Sequence, residues 1–146
     1  MYIVSACLCG VNCKYSGKNN LNEDCMRLLK CNKALLVCPE QLGGLTTPRK
    51  PSEIVKDGDT IKVVNTDNED VTNEFIKGAK EVLNIARVSN IKKAILKEGS
   101  PSCGCNFIYD GTFTGKKIKG EGLTCKILRE SGIEVISDEE YSKNNK

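Results

Sequence analysis

Three times along this chain a short apolar run is followed by a cysteine and by residues that cannot continue a strand. Tyr2-Ile3-Val4-Ser5-Ala6 leads into Cys7, Ala34-Leu35-Leu36-Val37 leads into Cys38-Pro39, and Ala94-Ile95-Leu96 leads through Gly99-Ser100-Pro101 to Cys103-Gly104. Short apolar runs bounded by glycine and proline read as buried strands, which belong to parallel sheets covered on both faces. Each run therefore delivers a thiol to a strand's carboxyl end. Right-handed crossovers put those ends on one edge of the sheet, the edge where such sheets bind ligands.

The intervening segments supply the crossovers. Residues 22–31 place Cys25, Met26, Leu28 and Leu29 on one face of a short helix. Residues 71–88 carry Val71, Phe75, Ile76, Ala79, Val82, Leu83 and Ala86 close to a 3.6-residue period, with Asp70 or Thr72 as the cap. A helix over 123–130 stops at Gly132, and a fourth strand over 133–137 follows. Asp57-Gly58 and Asp110-Gly111 mark two β-hairpins. The loop over 39–51, with Pro39, Pro48, Pro51 and paired glycines, fits neither helix nor strand. The expectation is a single α/β domain over residues 1–137: a mostly parallel four-stranded sheet flanked by helices, Rossmann-like, with two inserted hairpins. A polar tail over 138–146 completes it.

Composition narrows the chemistry. A chain of 146 residues buries roughly two thirds of its unfolded surface without covalent staples. Nine cysteines, an odd number, behind an N-terminus with no charged leader point to a reducing, cytoplasmic setting. The absence of histidine removes Cys-His and Ser-His-Asp nucleophiles and mixed Cys/His zinc sites together. Any metal chemistry must rest on thiolates and carboxylates. A net charge of +3 with no tryptophan speaks against a nucleic-acid partner, and Lys116, Lys117 and Lys119 read as a solvated strand. No apolar stretch approaches the roughly twenty residues that cross a bilayer.

Cys7, Cys38 and Cys103, each followed by a glycine- or proline-rich turn, stand out as site thiols. Cys25, Cys31 and Cys125, on or beside expected helices, read as small core hydrophobes. Cys9, Cys13 and Cys105 fit either part. Paired C-x-x-C knuckles for structural zinc are missing, and Cys7/Cys9 and Cys103/Cys105 have one intervening residue where a thioredoxin-like dithiol has two. An iron-sulfur cluster suits three soft thiolates better and leaves one iron open.

Several segments carry a resemblance: Ser5-Ala6-Cys7-Leu8, Gly10-Val11-Asn12-Cys13-Lys14-Tyr15-Ser16-Gly17, Cys38-Pro39-Glu40-Gln41-Leu42-Gly43-Gly44-Leu45, Thr47-Pro48-Arg49, Asp70-Val71-Thr72, Ser100-Pro101-Ser102-Cys103-Gly104 and Tyr109-Asp110-Gly111-Thr112-Phe113. In order and over nearly the whole chain, they resemble the single-domain thiouracil desulfidases. The resemblance implies a 4Fe-4S cluster held by Cys7, Cys38 and Cys103 alone, with a fourth iron free to take the sulfur of a thiocarbonyl and polarise it for water without net electron transfer. It implies a thiolated pyrimidine or related small thioamide as substrate, an oxo product and sulfide.

Glu40 is the expected general base or proton shuttle, and Ser102 or Ser100 the group that positions water or the ring. The competing readings are a Glu40 that ties down its own loop and serines that make turn hydrogen bonds. Arg49 reads as an anchor for a substrate anion or as the partner of a carboxylate such as Glu53. The chain departs from the family at Cys9, where leucine is common, at Gly99, where arginine is usual, and at Cys105, where a small residue is expected. A fourth thiolate from Cys9 or Cys13 would close the open iron. The rival expectation is therefore a non-catalytic metal-binding or sulfur-carrier protein, holding structural zinc or a sulfide-donating cluster.

Overall fold

A computed structural model describes residues 1–145. The chain begins β1 (Tyr2–Ser5), α1 (Glu23–Lys30), β2 (Ala34–Val37) and α2 (Pro39–Leu42). A hairpin of β3 (Ser52–Asp57) and β4 (Thr60–Asn65) precedes the long α3 (Thr72–Val88) and β5 (Lys93–Leu96). A second hairpin, β6 (Phe107–Tyr109) and β7 (Lys117–Lys119), is followed by α4 (Leu123–Glu130), β8 (Glu134–Ser137) and α5 (Asp138–Asn144). Four strands form one sheet in the order β2-β1-β5-β8, and every pairing in it is parallel. The α/β architecture with two antiparallel hairpins is the one the apolar runs and Asp-Gly turns imply.

Successive residues of a strand point to opposite faces, and the core divides accordingly. Ile3, Val37, Leu96 and Val135 pack with Val82 and Ala86 of α3 and Leu128 of α4 on one face. On the other face, Val4 and Ile95 meet Cys25 and Leu28 of α1 and Tyr141 of α5. A smaller core of Ile54, Val63, Phe75 and Ile108 docks the two hairpins against α3. Among the described residues no helix is long and apolar enough to cross a membrane.

Five details differ from the sequence reading. Residues 39–42 are not loop but α2, with Pro39 in its first turn, where a missing N–H costs nothing. Residues 138–144 are not a polar tail: Ser137 and Glu140 form a reciprocal capping box, Asp138 is buried, and the helix they start packs against α1 and β5. The second hairpin does not turn at Asp110-Gly111, because its strands stop at Tyr109 and resume at Lys117, leaving a wide loop. Cys31 is exposed at the end of α1 rather than in the core. Finally, Val71 takes the cap position of α3 without a side-chain bond, while Thr72 Oγ1 accepts from the Val63 N–H at 2.9 Å and ties the helix start to β4.

Candidate active site at the strand ends

β1, β2 and β5 end side by side, and Cys7, Cys38 and Cys103 line one cavity of about 500 Å³ beyond them. Cys7 lies in a 3-10 turn, Ala6–Cys9, Cys38 immediately precedes α2, and Cys103 sits in the loop after β5. The hairpins wall the far side through Pro51, Glu53, Tyr109 and Gly115. Glu53 latches the two hairpins by accepting the N–H groups of Gly111 at 3.0 Å and Phe113 at 3.2 Å. Among the described residues, no three His, Cys, Asp or Glu side chains converge on a single-ion position. The thiols border a void rather than a point.

Their electrostatics are unequal. Cys38 is pushed down to about 6, first by a hydrogen bond from the Cys13 thiol, against its own burial, with help from the Gln41 N–H and the Arg49 guanidinium. Cys13 moves up for the same reason, as the donor of that bond. Burial raises Cys103 to about 12 although Ser5 and Ser102 face its sulfur, and burial also raises Cys7 against a hydrogen bond from Asn20. Of the undecided thiols, Cys13 lines the cavity, while Cys9 and Cys105 are buried outside its wall.

Glu40, Ser102 and Ser100 form a directed chain. Ser102 donates to Glu40 Oε2 at 2.9 Å, because a carboxylate in this position only accepts. With that proton committed, the 2.8 Å contact between the serine hydroxyls runs from Ser100 to Ser102. Ser100 Oγ in turn accepts the N–H groups of Ser102 and Cys103, each at 3.0 Å, so the turn hydrogen bonds and the chain coexist. Arg49 Nε holds Glu40 Oε1 at 3.0 Å. The same guanidinium donates to Cys13 O at 2.9 Å, Thr47 Oγ1 at 2.9 Å and Thr46 O at 3.2 Å, and its side chain is only 8% exposed. Arg49 therefore partners Glu40, not Glu53, and spends four of its five N–H donors inside the protein.

Residues 2–140 match the 2-thiouracil desulfurase family profile. This chain belongs to the 2-thiouracil desulfurase family. It is 44% identical over 148 residues to the uncharacterized protein YbbK of Bacillus subtilis (strain 168), covering 97% of this chain and 98% of that protein. It is also similar to the solved structure of the 4Fe-4S-dependent thiouracil desulfidase TudS, at 42% identity and a TM-score of 0.88, covering 97% of this chain and 93% of that one.

Sequence reasoning missed three residues that shape the site of this desulfurase-family chain. Glu98, only 5% exposed, accepts the Cys105 N–H at 2.7 Å and the Asn106 N–H at 2.9 Å on Oε1, and the Asn106 amide at 2.7 Å on Oε2. Burial pushes its carboxyl up, but the donors from Asn106, Cys105 and Phe107 prevail and hold it below the usual range. Glu98 thereby folds the loop that carries Cys103. A carboxylate two positions after a buried apolar run is a signal that could have marked it. Ser5, the polar last residue of β1, carried a weaker one. Asn20 carried none, since only the fold brings it to Cys7.

Proposed function

We propose that this protein replaces the sulfur of a thiolated pyrimidine, or a related small thioamide, by oxygen without net electron transfer, and that Cys7, Cys38 and Cys103 hold a 4Fe-4S cluster for the purpose. The reaction balances as C=S plus water giving C=O plus hydrogen sulfide. One observation carries the reading: three strand-end thiols and the Ser100–Ser102–Glu40 chain border the same void. The donor set fits the group. Thiolates suit iron, and thiols ringing a cavity suit a four-iron cube better than a lone zinc ion, which four ligands must approach at one point. The dependence of the related TudS on a 4Fe-4S cluster supports the same assignment.

When bound with one iron free of protein ligands, such a cluster supplies a Lewis acid that polarises the thiocarbonyl. The chain's own residues supply the rest. Ser102, which lines the cavity and keeps one lone pair free beside the hydrogen bond from Ser100, accepts a proton from the attacking water while its own passes to Glu40, and Ser100, held by two backbone N–H groups, keeps Ser102 in line. Arg49 keeps the carboxylate aimed at Ser102. A cavity of about 500 Å³ admits a single pyrimidine ring beside the thiols.

Anaerobically prepared protein should carry about four irons per chain and release sulfide and uracil from 2- or 4-thiouracil. Glu40→Gln should slow that release roughly 10²- to 10⁴-fold at unchanged iron content. Iron-replete protein that liberates no sulfide from any thioamide overturns the reading in favour of a carrier, and colourless protein with a single zinc overturns the cluster.

A further inference from the structure

Two of the three proposed ligands receive a hydrogen bond whose direction the surroundings fix. Ser5, 2% exposed at the end of β1, lies 3.4 Å from Cys103 Sγ, and its oxygen accepts the Lys97 N–H at 3.0 Å. The hydroxyl's single proton is thus left for the sulfur. Ser102, also within 3.6 Å of Cys103 Sγ, has already committed its proton to Glu40. At Cys7, Asn20 Nδ2 stands 3.4 Å from Sγ. Its Oδ1 faces the Lys14 ammonium at 3.4 Å, which can only donate, so the amide's NH₂ must be the end turned to sulfur. A backbone bond from the Asn20 N–H to Cys7 O at 2.9 Å pins the residue.

We propose that Ser5 and Asn20 are positioning residues that set the reduction potential of the bound cluster through Cys103 and Cys7. The inference rests on the three-cysteine cluster of the preceding section. A donor facing a thiolate ligand stabilises the more electron-rich, reduced state most, and so raises the potential and makes oxidation harder. For a reaction with no net electron transfer, that would guard a bound cluster against oxidation. It also slows oxidative loss of iron. Ser5 faces Cys103 and Asn20 faces Cys7, so the two donors act at separate corners.

The test is a dithionite titration of anaerobically prepared, iron-replete protein, following the loss of visible absorbance and the appearance of the reduced-cluster paramagnetic signal. Ser5→Ala and Asn20→Leu should each shift the midpoint to more negative potential and hasten iron loss in air, and Ser5→Thr, which keeps the hydroxyl, should restore both. Because Asn20 lies in the loop before α1, apart from the Ser5 end of β1, its variant decides the matter alone if Ser5→Ala assembles no cluster. Midpoints equal to the parent's at full iron content, or a Ser5→Thr shift as large as that of Ser5→Ala, overturn the proposal and leave the desulfuration reading standing. Parent protein that takes up no iron defeats both at once, and is recognised by the absence of any signal to titrate.

Discussion

Glu98 shows how much one buried side chain can organise. Its carboxylate gathers donors from Cys105, Asn106 and Phe107, while its own N–H is taken by Asp138 Oδ1 at 2.8 Å. Glu98→Gln keeps the shape but turns an amide NH₂ toward groups that also donate. A loss of about 1.5–3 kcal/mol in urea unfolding is expected, the range for hydrogen bonds to a charged group. The pH dependence follows from its depressed carboxyl. Stability from this group is fully present above the ordinary glutamate value near pH 4.3 and is lost as pH falls through the lower folded value. The gap between parent and Glu98→Gln should therefore be constant from pH 7 to about pH 5 and narrow as pH falls below the ordinary glutamate value. A gap that widens on acidification contradicts the account.

At the level of elements, α2 and α3 touch backbone to backbone. A Cβ on Gly78 would stand 1.9 Å from Pro39 O, and one on Gly43 would stand 1.9 Å from Glu74 O. Helix propensity alone favours Gly78→Ala by about 1 kcal/mol, but overpacking of this kind costs roughly 1–3 kcal/mol or more. Sterics win, so Gly78→Ala should lower the urea midpoint. Iron uptake should fall with it, since α2 carries Glu40 and follows Cys38 directly. α5 is equally structural. Truncation after Ser137 removes the acceptor of the Glu98 N–H, and with it Glu140, whose Oε1 accepts from Asn106 at 2.7 Å. The shortened chain should show a lower unfolding midpoint and faster amide exchange over residues 98–107; unchanged exchange there would refute the clamp.

Over the whole molecule, the proposed ligands tie together three strand ends separated by most of the sequence. A group that binds only the folded chain adds RT ln(1 + [L]/Kd) to its stability. Loading with the cluster should raise the anaerobic unfolding temperature, and chelation after oxidation should return it. Cys7→Ser, Cys38→Ser and Cys103→Ser should each abolish most of the rise, whereas Cys31→Ser, exposed and remote from the cavity, should leave it intact. A rise that survives all three substitutions would relocate the cluster to other thiols.

The sequence by itself determined the strands, the three longer helices, the hairpins and the thiols at three strand ends, because apolar period, turn residues and caps act over a few neighbouring positions. α5 was legible as well, in Ser137 and Glu140, but its polar composition hid the capping box. Tertiary structure alone chose the partners. Ser102 finds Glu40 across 62 positions and Ser5 finds Cys103 across 98, contacts that exist only once the parallel sheet has closed. Arg49 had several carboxylates within reach along the chain and met Glu40 rather than Glu53, which the hairpin loop had already claimed. Local pattern says which groups are present; the closed sheet and its packing decide which of them meet.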